Sequence, residues 1–134
     1  MNTSPRLLIP LSLLLGLALA GPRPAAAQDD TTVRIVNHHQ TQVRVFAFDN
    51  EDRRHEIGTV GSGDFEQLVI PSELVEKGAV QIKVYPSGQV PGLGAPSEPD
   101  YGVKSSKLTL NVGDTIDFWI EPELADSMVR LTRG

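Results

Sequence analysis

Short runs in which apolar and polar residues alternate recur along most of this chain, and they constrain its fold more than any other feature. The clearest runs are TTVRIVN, QVRVFAF, AVQIKVY and TIDFWI. Successive side chains of a β-strand point to opposite faces, so a period of two gives each strand one apolar face. Such faces are buried when two sheets stack against each other. The pattern therefore predicts an all-β fold built around one shared core.

Turn-forming residues separate these runs at roughly the spacing of a small sandwich domain, about eight to twelve positions. We predict an antiparallel β-sandwich of the Ig-like or transthyretin-like type, with about seven to eight strands. Residues 38–41 are expected to join the first two strands as a hairpin, and KLTLNVGDTIDFWIE (residues 107–121) to form another hairpin around the turn at 112–115. One short helix is expected near residues 72–77, capped by Ser72, ended by Gly78 and crossing between the sheets.

The first residues are typical of a secretory signal. Arg6 precedes an uncharged apolar stretch (residues 7–20) that is shorter than the roughly 20 residues of a membrane-spanning helix. Three alanines at 25–27 fit the small residues before a cleavage site, and residues 18–20 offer a second such site. We predict a signal peptide at 1–27, a single domain at 28–134, a secreted or periplasmic location and no membrane span after cleavage; an uncleaved anchor is the alternative.

The charge and the lack of cysteine exclude several classes of function. The chain has a net charge of −5, which disfavours nucleic acid and anionic membranes as partners. The sequence contains no cysteine, which excludes thiol catalysis, disulfides and cysteine-ligated metals. We predict a monomer or weak dimer that folds without cofactors, with another exported or envelope protein as its partner.

The histidines raise the question of a metal site. His38 and His39 are adjacent, so on a strand they would point to opposite faces, and His55 would have to supply a further ligand. The competing interpretation is a solvated loop tip, and both stay open from the sequence.

Acidic residues suggest two further sites. Asp49, Glu51 and Asp52 could offer oxygen ligands to calcium, although the spacing of an EF-hand is absent and a charged turn is the alternative. Glu121 and Glu123 are spaced as a glycosidase pair on one strand face might be. No motif of a hydrolase or of a phosphate-binding loop occurs. The prediction is therefore a protein that is not an enzyme and has no catalytic residues.

Two features could form a binding surface. PSGQVPGLGAPSEPDYG (residues 86–102) is rich in glycine and proline, and loops of that length are usually functional or disordered. Trp119 alternates with Phe118 and Ile120, so it shares a face with Asp117 and Glu121. Exposed, it could anchor a protein or a sugar together with Tyr85 and Tyr101; covered by the loop, it would only pack.

The order VRIVN, QVRVFAFD, IGTV, IPSEL, IKVYP and LTLNVGDTIDFWIEPEL resembles small exported bacterial β-sandwich proteins of uncharacterised function. In that group a hairpin with a polar, asparagine-rich tip and a late hairpin containing Gly-Asp recur. Where those proteins often have Asn or Trp, this chain has His38 and His39. The resemblance implies an exported location and a sandwich fold, and it implies no activity.

Three hypotheses of function follow. The first is a non-enzymatic exported domain that binds a protein or serves as an accessory module of the envelope. The second is a small-ligand or carbohydrate-binding domain that uses Trp119 and the tyrosines. The third is a metal-binding protein that uses His38, His39 and His55.

Overall fold

A computed structural model describes residues 30–92 and 101–134. The predicted signal peptide, and residues 93–100 of the predicted loop, lie outside the described residues. Eight strands form two four-stranded sheets, which confirms the all-β sandwich. The strands are β1 (Thr32–Asn37), β2 (Val43–Phe48), β3 (Arg54–Val60), β4 (Phe65–Val69), β5 (Gln81–Pro86), β6 (Val103–Lys104), β7 (Thr115–Ile120) and β8 (Met128–Thr132).

The sheets have the strand orders β4-β1-β7-β8 (sheet A) and β3-β2-β5-β6 (sheet B). Every pairing between these strands is antiparallel except that of β1 with β7, which is parallel. The prediction of a purely antiparallel sandwich was wrong at this point. A hairpin forces its strands to be antiparallel, but β1 and β7 are separated by most of the domain, so no turn fixes their relative direction.

The core lies between the inner faces of the two sheets, as the alternation predicted. Every second residue of the central strands is fully buried there. These residues come from sheet A (Val33, Ile35, Ile116, Phe118, Ile120) and from sheet B (Val43, Val45, Ala47, Ile82, Val84). Burial of apolar surface contributes about 25 cal/mol per Å², and it is the main term that stabilises a domain without disulfides.

The predicted hairpin between β1 and β2 is wrong, because the two strands belong to different sheets. Residues 38–41 instead carry the chain across the sandwich. Asn37, fully buried, fixes this crossover: its Nδ2 donates to the carbonyl oxygens of Thr41, Val60 and Gly61 at 3.0–3.1 Å. Its Oδ1 accepts from the backbone N–H of His39 at 3.0 Å. One amide thus joins two crossovers between the sheets.

The short helix α1 (Ser72–Glu76) connects β4 of sheet A to β5 of sheet B, so the predicted crossover is confirmed. Its capping differs from the prediction. Pro71 occupies the N-cap position with no side-chain cap, and Ser72 lies inside the first turn. Gly78, with a φ of +131°, adopts a backbone conformation that residues with a Cβ rarely take.

The predicted hairpin at 107–121 is only half present. Its second strand is β7, but Leu108 makes no more than an isolated bridge with Val80, and the chain then runs to the turn at Asp114. Two 3₁₀ turns, Ser87–Gln89 and Leu124–Asp126, complete the regular structure. No helix among residues 30–92 and 101–134 has the length and apolar character to cross a membrane.

Candidate binding face on sheet A

The outer face of sheet A carries side chains in rows that cross its strands. In register order β4-β1-β7-β8, one row is wholly apolar and the next is polar and charged. We name them the apolar row (Phe65, Val36, Trp119, Met128) and the charged row (Gln67, Arg34, Asp117, Arg130). A further row consists of Val69, Thr32, Thr115 and Thr132. Trp119 therefore belongs to an extended surface rather than to an isolated site.

The ends of the apolar row are strongly exposed. Phe65 has 57% and Met128 has 60% of its surface exposed, while Val36 and Trp119 in the middle are partly buried by their neighbours. The guanidinium of Arg130 lies 5.1 Å from the centre of the Trp119 ring, within the range of a cation–π contact. The Trp119 ring thus contacts an arginine, in a row whose two ends are exposed apolar side chains.

A two-point ion pair organises the charged row. Arg34 donates from Nε to Asp117 Oδ1 at 2.6 Å and from Nη2 to Oδ2 at 3.1 Å. The hydrogen bond with Asp117, together with the charge of that carboxylate, raises the pKa of Arg34. Arg130 Nη2 lies 3.6 Å from Asp117 Oδ2. Two guanidiniums share one carboxylate, so the row carries one net positive charge.

The local sequence explains this arrangement. In TIDFWI the residues Ile116, Phe118 and Ile120 enter the core, which leaves Asp117 and Trp119 on the outer face. The same alternation in β1 turns Arg34 and Val36 outward. Because β1 pairs with β7 in parallel register, Arg34 lies beside Asp117 and Val36 beside Trp119.

The structure does not bring the three histidines together. His38 Nδ1 lies 3.7 Å from Glu121, His39 Nδ1 lies 3.0 Å from the hydroxyl of Thr41, and His55 belongs to β3. Within the described ranges 30–92 and 101–134, no three side chains of the metal-binding types gather as ligands. His38 and His39 lie in the crossover that Asn37 holds.

The acidic cluster at 49–52 is a hydrogen-bonded turn. Asp49 accepts from the backbone N–H of Glu51 and of Arg53, both at 2.9 Å, and His55 Nε2 lies 3.0 Å from its other oxygen. The bond from the Arg53 backbone, then that from His55, lower the pKa of Asp49 to about 2, against a smaller opposing effect of burial. Asp52 has a φ of 60° and pairs with Lys107. The oxygens of Asp49 are thus engaged in the turn itself, while Glu51 and Asp52 form surface ion pairs with Arg53 and Lys107.

The other predicted site residues lie elsewhere. Tyr85 is buried on the outer face of sheet B, where its ring meets Phe46 edge-on at 6.0 Å. Phe46 in turn lies beneath the guanidiniums of Arg44 and Arg54, at 5.2 and 5.0 Å. Tyr101 is exposed and lines a shallow depression of about 260 Å³ with Gly102, Leu124 and Ala125. Trp119 and Tyr85 thus lie on the outer faces of different sheets.

The described part of the predicted loop lies against sheet B. Arg54 Nη1 donates to the carbonyl oxygen of Pro91 at 2.7 Å, and Gly102 contacts the ring of Tyr85. Glu121 and Glu123 follow the end of β7, so they do not share a strand face as the sequence suggested.

Sequence reasoning found Trp119 but missed Val36, Phe65 and Met128, its companions in the apolar row. Alternation could have placed each of them on an outer face. No local signal could have shown that β4, β1, β7 and β8 are neighbours in that order, because strand order is a property of the whole fold.

Neither a protein-family model nor a curated protein matches this chain. A solved structure described as "NMR structure of the protein from Eubacterium rectale" is similar to it at 18% sequence identity and a TM-score of 0.39. The similarity covers 84% of this chain and 97% of that one.

Proposed function

We propose that this protein is an exported, non-enzymatic binding module that docks a partner protein on the outer face of sheet A. The observation that carries the proposal is the apolar row, which crosses all four strands and is most exposed at Phe65 and Met128. Exposed contiguous apolar surface on a soluble domain is typical of an interaction site.

The composition of the face supports this proposal. Tryptophan, methionine and arginine are enriched in protein interfaces, and tryptophan and arginine dominate their binding energy. Trp119, Met128 and Arg130 lie next to one another here, on adjacent strands. The Arg34–Asp117 pair lies between β1 and β7, so a partner would meet side chains that are already held in place.

The wider setting follows from the sequence. The signal-like residues 1–27 support export to the periplasm or the medium, and the resemblance to exported bacterial sandwich proteins supports an Ig-like or transthyretin-like class. We infer a monomer or weak dimer without cofactors, whose partner is another exported or envelope protein.

Site-specific photo-cross-linking in the source cell tests the proposal. A photoreactive amino acid replaces Met128, and in a matched control it replaces Thr59, which is exposed on β3 of sheet B. The expected result is one discrete protein adduct from position 128 that disappears when Phe65→Ser is added. Absence of an adduct at 128, or the same adduct from position 59, would contradict a docking face on sheet A.

A further inference from the structure

We propose that the partner contributes an acidic amphipathic segment, whose apolar side chains lie along the apolar row and whose carboxylates bind Arg130 beside the Arg34–Asp117 pair. This inference rests on the proposed docking function of sheet A. It adds the chemistry of the partner to that function.

The shape of the face indicates a single segment. Four strands at the usual spacing make the apolar row about 14 Å long, and successive rows on one face lie about 7 Å apart. The charged row borders one side, and the pair His38–Glu121 follows Val36 and Trp119 at the other side, just beyond the strands. An apolar strip one residue wide, between polar borders, matches the single apolar stripe of an amphipathic segment.

The charges indicate that the segment is acidic. Arg34 makes both of its short hydrogen bonds with Asp117, whose side chain is only 6% exposed. Arg130 is 63% exposed, and its contacts with other described residues are Asp117 at 3.6 Å and the Trp119 ring. Its guanidinium therefore directs N–H donors to solvent. A carboxylate can accept hydrogen bonds from two of these donors at once.

A second copy of this chain fits the face less well. The four-stranded face spans roughly 300 Å² in projection, whereas a stable dimer usually buries about 800 Å² on each partner. Two copies placed face to face would also oppose four guanidiniums with only two carboxylates, each already paired. A small contact area with a net positive charge suits a short acidic segment.

Selection from a random peptide library tests the inference. Peptides of roughly 12 residues, the mean length of a helix in proteins, are displayed on phage and panned on the purified protein. Binders that also bind the double variant Phe65→Ser/Met128→Ser are removed. The expected result is enrichment of peptides that combine three or more apolar residues with Asp or Glu and lack Lys and Arg.

The affinity of the enriched peptides is then measured by the fluorescence of Trp119, the one tryptophan in the chain. Arg130→Glu is expected to weaken acidic peptides by roughly tenfold or more, because like charges then face each other. It should also restore binding of analogues that carry Lys in place of Glu. The control is Lys107→Glu, which makes the same charge change at a side chain nearly as exposed as Arg130 and should leave affinity unchanged.

The outcomes separate the two proposals. Enriched peptides without an acidic bias, or affinity that Arg130→Glu leaves unchanged, would overturn the inference while the docking face stands. Failure to enrich any peptide that depends on Phe65 and Met128 would count against the docking face itself. A Trp119 response to phosphatidylserine vesicles but not to phosphatidylcholine vesicles or peptides would assign the face to lipid and overturn both.

Discussion

The guanidinium of Arg34 and the carboxylate of Asp117 form two parallel hydrogen bonds across the β1–β7 pair, at 2.6 and 3.1 Å. The two residues come from strands at opposite ends of the domain sequence, and the pair lies beside Trp119 on the same outer face. It therefore connects the stability of sheet A to the geometry of the candidate binding face.

Removing Asp117 should destabilise the protein measurably. We expect Asp117→Ala to lower the free energy of unfolding by about 1–2 kcal/mol, since hydrogen bonds to charged groups are lost but Arg34 stays partly solvated. A double-mutant cycle with Arg34→Ala, followed by urea unfolding, measures the coupling. The matched control is the Arg44–Glu56 pair, which has the same two-point geometry at 2.8 Å but is about one-third exposed on both sides. A coupling no larger than that of the control would refute this prediction.

Loss of Asn37 should be more costly than loss of any exposed asparagine. Asn37→Ala leaves the carbonyl oxygens of Val60 and Gly61 without the amide that binds them, so we expect a loss of about 2–3 kcal/mol. The control is Asn50→Ala, which removes one exposed hydrogen bond to Lys77 and should cost less than about 1 kcal/mol. Thermal and urea unfolding measure both, and equal losses would argue against Asn37 as the residue that joins the two crossovers.

Acid should remove a contribution of Asp49 to stability. The pKa of this carboxyl falls from an ordinary value of 3.8 to about 2 in the folded protein, so the unfolded chain binds the proton more readily. Its contribution is fully present above about pH 4 and is lost as the pH falls through about 2. We expect Asp49→Asn to reduce the slope of unfolding free energy against pH between 4 and 2.

Asp114 is the comparison. Burial opposes its ionisation, but hydrogen bonds from Asn111, Gly134 and Arg133 outweigh burial and lower its pKa, so part of the slope should remain. An unchanged slope in Asp49→Asn would disprove the assignment.

The ends of the apolar row should contribute little to stability. We expect Phe65→Thr and Met128→Thr each to change the free energy of unfolding by less than about 0.5 kcal/mol, because both side chains are more than half exposed. Phe118→Ala removes a fully buried ring next to Trp119 on β7, and it should lower the free energy of unfolding by about 3–5 kcal/mol. Losses above about 2 kcal/mol at Phe65 or Met128 would show that the row stabilises the fold and is not reserved for a partner.

Alternation was sufficient to predict the sandwich and the buried face of the central strands. Val33, Ile35, Ile116 and Phe118 point inward as their sequence pattern requires. The crossover helix was also predictable, because PSELVEKG interrupts the period of two between two strands.

Strand neighbours were not predictable in the same way. The alternation of apolar and polar residues indicates which face of its strand a side chain occupies. It does not indicate which strand lies beside that one. The sequence around His38 and His39 is compatible with either a hairpin or a crossover, and the buried amide of Asn37, with partners as distant as Val60 and Gly61, belongs to the crossover. For the same reason Trp119 could be identified as an outward aromatic residue, whereas Phe65 and Met128 could not be placed beside it.

The parallel pairing of β1 with β7 also sets an order of events during synthesis. Arg34 meets its ion-pair partner 83 positions later in the chain. Sheet A therefore cannot close before β7 has been synthesised, and contacts of such high sequence separation slow folding. Until β7 is available, β1 has β4 as its one neighbour in sheet A, and its other edge stays unpaired.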